Sequence, residues 1–148
     1  AFSDEKQTHA GAIPKLEVRS ISTAPFQVLG QRIVPIRLLH GPRLHVLGFR
    51  IGNIAYCTDT NAIPDESWPL LEDLDVLILD ALRYKPHVTH FSLDEAMDVA
   101  RRVNAKRTVF THLSHDFDYE TTNAQLPPRM ELAYDGMSFE WSPPFPRE

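Results

Sequence analysis

The chain predicts an α/β domain, with a strand-rich first half and a second half that alternates helix and strand. Three observations predict it. The apolar runs at residues 54–57, 76–79 and 108–111 have the length of buried strands rather than helices. The capping box Ser92-Leu93-Asp94-Glu95 opens a helical pattern with Ala96, Val99, Ala100 and Val103 on one face. Polar residues stand where apolar runs stop: His40 after residues 35–39, Asp59 after 54–57, and His112 after 108–111. Open α/β sheets keep their chemistry at such carboxyl ends of strands.

The elements follow in order. Residues 1–14 are polar, contain Gly11 and Pro14, and predict a loop or frayed end. Residues 16–21 alternate apolar and polar as a half-buried strand does. Residues 26–29 and 31–34 flank Gly30 and predict a hairpin, and 45–51 with 53–57 predict a second one turning through Gly52-Asn53. Between them, 35–40 form a strand that His40-Gly41 ends. Residues 65–72 suit a short helix with Pro69 in its first turn, and 76–79 a fully buried strand ended by Asp80. After the capped helix and the strand at 108–111 comes a polar loop with Pro127-Pro128. Residues 130–134 and 137–141 flank Asp135-Gly136, a strong hairpin signal.

Composition bounds the function. With 148 residues, 43% hydrophobic and 24% charged, residues 1–148 read as one globular domain. A net charge of −5 with scattered basic residues argues against a nucleic-acid partner, because phosphate-backbone recognition needs basic clusters. The single cysteine, Cys57, rules out an internal disulfide and suits a reducing cytoplasm. No apolar run has membrane-span length and the first residues lack the order of a signal peptide, so no membrane partner and a cytoplasmic location are expected.

The chemistry-bearing segment is Thr111-His112-Leu113-Ser114-His115-Asp116. Together with His40 and Asp59 it offers neutral imidazole nitrogens and a carboxylate, the donor set of a divalent metal. Each has a plainer competitor: Asp59 before Thr60-Asn61 can serve a turn, and His40 before Gly41-Pro42 can simply end a strand. Asp80 can orient a histidine through its second nitrogen or cap local backbone. Arg83 can contact a substrate phosphate or pair with an acidic neighbour. His115 and Asp116 read as supporting polar groups, and His45 and His87 as solvent-facing. Cys57 reads as inert packing, and Trp68, Phe91, Phe110 and Trp141 as core.

These motifs, taken together, carry a resemblance. Leu39-His40-Gly41, Gly48-Phe49-Arg50-Ile51-Gly52 leading to Tyr56-Cys57-Thr58-Asp59-Thr60, and Leu79-Asp80-Ala81-Leu82-Arg83 are followed by Thr89-His90-Phe91-Ser92-Leu93-Asp94-Glu95-Ala96, Thr111-His112-Leu113-Ser114-His115 and Ala133-Tyr134-Asp135-Gly136. From about Lys15 to Trp141 the chain resembles the carboxyl-terminal portion of a metallo-β-lactamase-fold hydrolase, in the branch similar to the cyclic phosphodiesterase of phosphonate breakdown.

The resemblance implies a metallo-β-lactamase-like αββα sandwich, incomplete here. It implies His40 on one metal, Asp59 bridging two metals, His112 on the second, and His90 as the catalytic residue beside the leaving group. The implied nucleophile is a metal-bound hydroxide, and the implied partner a small phosphorylated or ester substrate. The superfamily string His-x-His-x-Asp-His occurs nowhere in the chain, and His9 is the only histidine before His40. The expectation is therefore a fragment, inactive alone, of a parent holding two ions of zinc or manganese. Whether this chain by itself binds any ion stays open. Two alternatives stand beside the phosphodiesterase reading: a thioester or lactone hydrolase, and a non-catalytic scaffold that pairs exposed strands with another copy of itself.

Overall fold

A computed structural model describes residues 17–140. Seven strands form one sheet in sequence order: β1 Phe26–Val28, β2 Gln31–His40, β3 Leu44–Ile51, β4 Ile54–Cys57, β5 Val76–Asp80, β6 Arg107–Thr111 and β7 Met130–Leu132. β1 to β4 pair antiparallel, and β4 to β7 pair parallel. Strands β2, β4, β5, β6 and β7 therefore point the same way, and their carboxyl ends share one edge of the sheet. Each parallel step needs a crossover. A 3₁₀ helix at Asp65–Leu71, α1 at Leu93–Val103 and α2 at Tyr119–Gln125 supply them.

Local chemistry sets the turns and caps. Leu29 and Gly30 both take positive φ, 48° and 78°, the combination a two-residue hairpin turn of the favoured twist requires. α1 carries both halves of its capping box: Ser92 N donates to Glu95 Oε2 at 2.8 Å, and Glu95 N donates to Ser92 Oγ at 3.4 Å. It stops at Asn104, left-handed at φ 55°, whose N–H returns to Ala100 O.

The register places the core on one face. Ile36 lies opposite Gly48, Cys57 beside Leu79, Leu79 beside Phe110, and Phe110 beside Leu132. These residues are fully or almost fully buried and meet Leu71, Leu93, Ala96 and Ala100 from the helical layer. Each large apolar side chain so buried contributes about 1.5–3 kcal/mol. Cys57 is part of this packing, and burial, reinforced by the Asp80 carboxylate, pushes its thiol up to about 12. Of the expected αββα sandwich, the described residues supply one mixed sheet and one helical layer.

Four expectations need correction. Residues 17–21 form no strand, and Val18 and Ile21 are exposed; β1 is short and the described chain pairs nothing with its outer side, so the alternating pattern finds no ladder. Leu16 and the loop expected for residues 1–14 lie outside the described residues. The turn at Asp135-Gly136 closes, with Met137 N donating to Tyr134 O, but residues 137–140 form no second strand, and Trp141 lies outside the described residues. Instead β7 pairs parallel to β6, whose buried residues offer a longer apolar neighbour than a local hairpin could. The polar loop before Pro127 contains α2, capped by Asp118, whose carboxylate accepts from Thr121 N at 2.9 Å. Finally, Pro69 sits in the fifth position of a 3₁₀ helix rather than in a first α-turn. Among the described residues no helix is long and apolar enough to cross a membrane.

Candidate metal and catalytic site

Three histidines and two aspartates meet at the common carboxyl edge. His40 is the last residue of β2, Asp80 the last of β5, Asp59 follows β4 by two residues, and His112 follows β6 directly. Donor atoms of His40, Asp59 and His90 lie within 4.8 Å of one another. His112 joins them, with Nε2 at 3.6 Å from Asp59 Oδ1 and its ring stacked on His90 at 4.8 Å between centroids. His40 meets His90 edge-on, also at 4.8 Å.

Both donors beyond strand ends adopt left-handed backbone, Asp59 at φ 58° and His112 at φ 61°. Left-handed residues other than glycine are uncommon and gather at functional sites, where the surroundings hold them. Here Thr60 does the holding. It is fully buried, its Oγ1 donates to Leu39 O at 2.8 Å, and its N–H donates to Asp80 Oδ1 at 3.3 Å. Asn61 Oδ1 accepts from Gly41 N at 2.7 Å, tying the loop after β4 to the end of β2. Sequence reasoning missed both roles; the turn-forming string Asp59-Thr60-Asn61 was the only local signal.

Asp80 and His90 form a buried pair. Asp80 has no solvent exposure, and its Oδ2 lies 2.9 Å from His90 Nδ1. Burial pushes the Asp80 carboxyl up to about 7, against the opposing pull of the Thr60 amide and the His112 and His40 rings. Burial, with His40 nearby, holds His90 below the ordinary histidine range, and Asp59 opposes this. With Asp80 as carboxylate, Nδ1 of His90 carries a proton and Nε2 keeps a lone pair.

The other expected residues fall outside this cluster. Among the described residues Arg83 makes no hydrogen bond or ion pair with the cluster or with an acidic side chain: Nε donates to Lys85 O at 3.2 Å and Nη2 to Pro86 O at 3.1 Å, bracing the loop before His90. The His115 side chain is 99% exposed, and its Nε2 lies 3.8 Å from Asp116 Oδ1. His45 is exposed, as expected. His87, expected to face solvent, is half-buried and lays its ring on His90, 5.3 Å between centroids. Two cavities lie elsewhere, one lined by Arg32, Val34, Arg50 and Leu70 and the other by Arg101, Asn104 and Arg129.

A divalent cation fits these donors. Two to three imidazole nitrogens and a carboxylate oxygen suit a borderline ion such as zinc or manganese. One further observation points the same way: Nδ1 of His40 is buried and has no hydrogen-bond partner among the described residues. A buried nitrogen left without a partner is rare and calls for one.

Comparison with known proteins identifies the family and the fold. A family model described as a beta-lactamase superfamily domain matches residues 2–113. The crystal structure of a new diphosphatase from the PhnP family superposes with a TM-score of 0.83 at 42% identity, over 85% of this chain and 49% of that one. Zinc-bound PqqB from Methylobacterium extorquens shares the fold, with a TM-score of 0.64 at 13% identity over 80% of this chain and 54% of that one. A protein described as an octanoyltransferase from Porphyromonas gingivalis (strain ATCC BAA-308 / W83) is 35% identical over 115 residues, which is 76% of this chain and 23% of that one. The chain thus spans about half the length of the solved relatives and under a quarter of the curated one. By its family match, its sheet and its edge of histidines and aspartates, the chain belongs to the β-lactamase superfamily and has the metallo-β-lactamase fold, in its PhnP-like branch.

Proposed function

We propose that the chain forms one side of the active site of a metal-dependent hydrolase of phosphate esters, a phosphodiesterase in the whole protein. The observation that carries this is the convergence of His40, Asp59, His90 and His112 on one edge, with His90 anchored to buried Asp80. In this reading His40, Asp59 and His112 are metal ligands, and the intact parent holds two ions of zinc or manganese. A divalent cation there supplies Lewis acidity toward an ester oxygen.

The side chains supply the rest. Asp59 offers two carboxylate oxygens, enough to reach neighbouring cations. When its ring is protonated at Nε2 as well as Nδ1, His90 can pass the Nε2 proton to the leaving oxygen as its bond breaks, and the Asp80 carboxylate opposite Nδ1 steadies that charged form. The name of the diphosphatase relative, at 42% identity, favours phosphate over carbonyl chemistry. The octanoyltransferase match covers too little of that protein to argue for acyl transfer. We further read the chain alone as inactive, since these donors cannot fill two coordination shells. Its lone buried thiol suits a reducing cytoplasm, and edge strands β1 and β7 offer pairing surfaces to a second copy.

The test compares the longest natural form with the 148-residue chain, by metal content and by hydrolysis of bis-(p-nitrophenyl) phosphate. The long form is expected to bind about two ions and hydrolyse the ester. In it, His112→Ala loses metal and activity together, whereas His90→Ala keeps metal and loses about 10²–10⁴ in rate. A metal-free, inactive long form, or ligand variants that keep full metal content, would refute the reading.

A further inference from the structure

His87 stands one ring beyond the cluster. Its imidazole tilts 32° to that of His90 at 5.3 Å, and His90 in turn lies 4.8 Å from both His40 and His112. Nδ1 of His87 accepts the Thr89 backbone N–H at 3.4 Å and lies 3.1 Å from Thr89 Oγ1. A ring nitrogen that accepts carries no hydrogen, so the neutral ring bears its proton on Nε2. That Nε2–H donates to no described residue.

The loop that carries His87 is held at several points. Leu82 N donates to Phe91 O and Leu93 N donates to Arg83 O, both at 2.9 Å, closing its two ends together. Arg83 donates to Lys85 O and Pro86 O inside it. Its tip rests on Gly41, where φ is +76° and a Cβ would lie 3.0 Å from Thr89 Cγ2. Glycine there admits both the left-handed backbone and the close approach that seats the loop against the strand bearing His40. A donor with no partner among the described residues, beside a histidine assigned to the leaving group, is placed to meet substrate.

We propose that His87 is a substrate-binding residue, its Nε2–H donating to an anionic oxygen on the portion of the substrate that departs past His90. The site then takes esters whose leaving group carries negative charge in preference to neutral ones. This deepens the phosphate-ester reading above and rests on it.

The experiment uses the longest natural form with labelled histidines and added Zn²⁺, titrated with inorganic pyrophosphate and, separately, inorganic phosphate, while imidazole resonances are followed by NMR. Pyrophosphate is expected to move the His87 Nε2 and Hε1 signals along with those of His90. His87→Ala is expected to weaken pyrophosphate by about tenfold, equal to about 1.4 kcal/mol, and phosphate by under about threefold. His87→Gln keeps a side-chain N–H donor and is expected to recover most of the loss; a merely structural histidine would not be rescued this way. If His90 and His112 move while His87 does not, or if His87→Ala leaves pyrophosphate affinity unchanged, the inference is overturned and the proposed function stands. If neither anion moves His40, His90 or His112, both fall.

Discussion

Replacing Asp80 by Asn isolates what a fully buried carboxyl does to this protein. Burial lifts its pKa from 3.8 to about 7, the Thr60 amide and the His112 and His40 rings pulling the other way. In the unfolded chain the same group loses its proton near its ordinary value of about 3.9. Between these two pH values the folded protein binds more protons than the unfolded one, so stability falls as pH rises through the window. At about 1.4 kcal/mol per pH unit, the window of roughly three units sets a ceiling of about 4 kcal/mol. His90 works with the opposite sign: its lowered pKa means that stability is lost as pH falls below the ordinary histidine value. We expect wild type to lose roughly 2–4 kcal/mol relative to Asp80→Asn between about pH 4.5 and 7.5. Urea unfolding at several pH values, converted with a common m-value, reads this difference. Parallel curves for the two proteins across that range would refute the argument, because they would mean that Asp80 stays ionised throughout as the counter-ion of His90.

Two further substitutions test the scaffold. Ser92→Ala removes both the N-cap acceptor and the hydroxyl that donates to Glu95 Oε2, and should cost about 1–2 kcal/mol in urea unfolding without altering histidine resonances at the site. Gly48→Ala should cost about 1–3 kcal/mol, because a Cβ there would lie 2.8 Å from Tyr56 O and 2.9 Å from Leu38 Cδ1, inside the packed face. An unchanged unfolding midpoint for the glycine variant would mean that β3 and β4 can separate more freely than their register implies.

What could be read in the sequence was what neighbouring residues decide. Ser92 and Glu95 reach each other across one turn, so the start of α1 was legible, as were the two hairpins around Gly30 and Gly52. The strand ends at His40, Asp80 and His112 were legible because apolar runs stop there. What was not legible depended on distant partners. Residues 130–132 carry the same pattern whether they pair antiparallel within a hairpin or parallel to β6; only the buried edge of β6 decides. Residues 17–21 alternate as a strand should, yet pattern without a neighbouring strand makes no ladder. His87 carries no local mark at all: its place follows from Arg83 bracing the loop and from Gly41 yielding space to Thr89.

The site shows why the donors need the whole sheet. A single strand end presents one side chain to one side, and no spacing within a strand can bring His40, Asp59 and His90 donors to within 4.8 Å. The chain solves this by running β2, β4, β5 and β6 in one direction, at the cost of the antiparallel β3 between the first two. It then breaks two of those strands into left-handed backbone, at Asp59 and His112, which turns their side chains off the strand path. Holding two such residues costs of order 1–3 kcal/mol each. Buried Thr60 and Asp80, bonded to one another and to the flanking backbone, are what the fold sets against that cost. Asp80 thereby joins two tasks in one carboxyl: one oxygen fixes the backbone behind Asp59, and the other fixes the ring of His90. A change at Asp80 should for that reason disturb the His90 ring and the Asp59 carboxylate together, and single changes at His90 and Asp59 should not add to it independently.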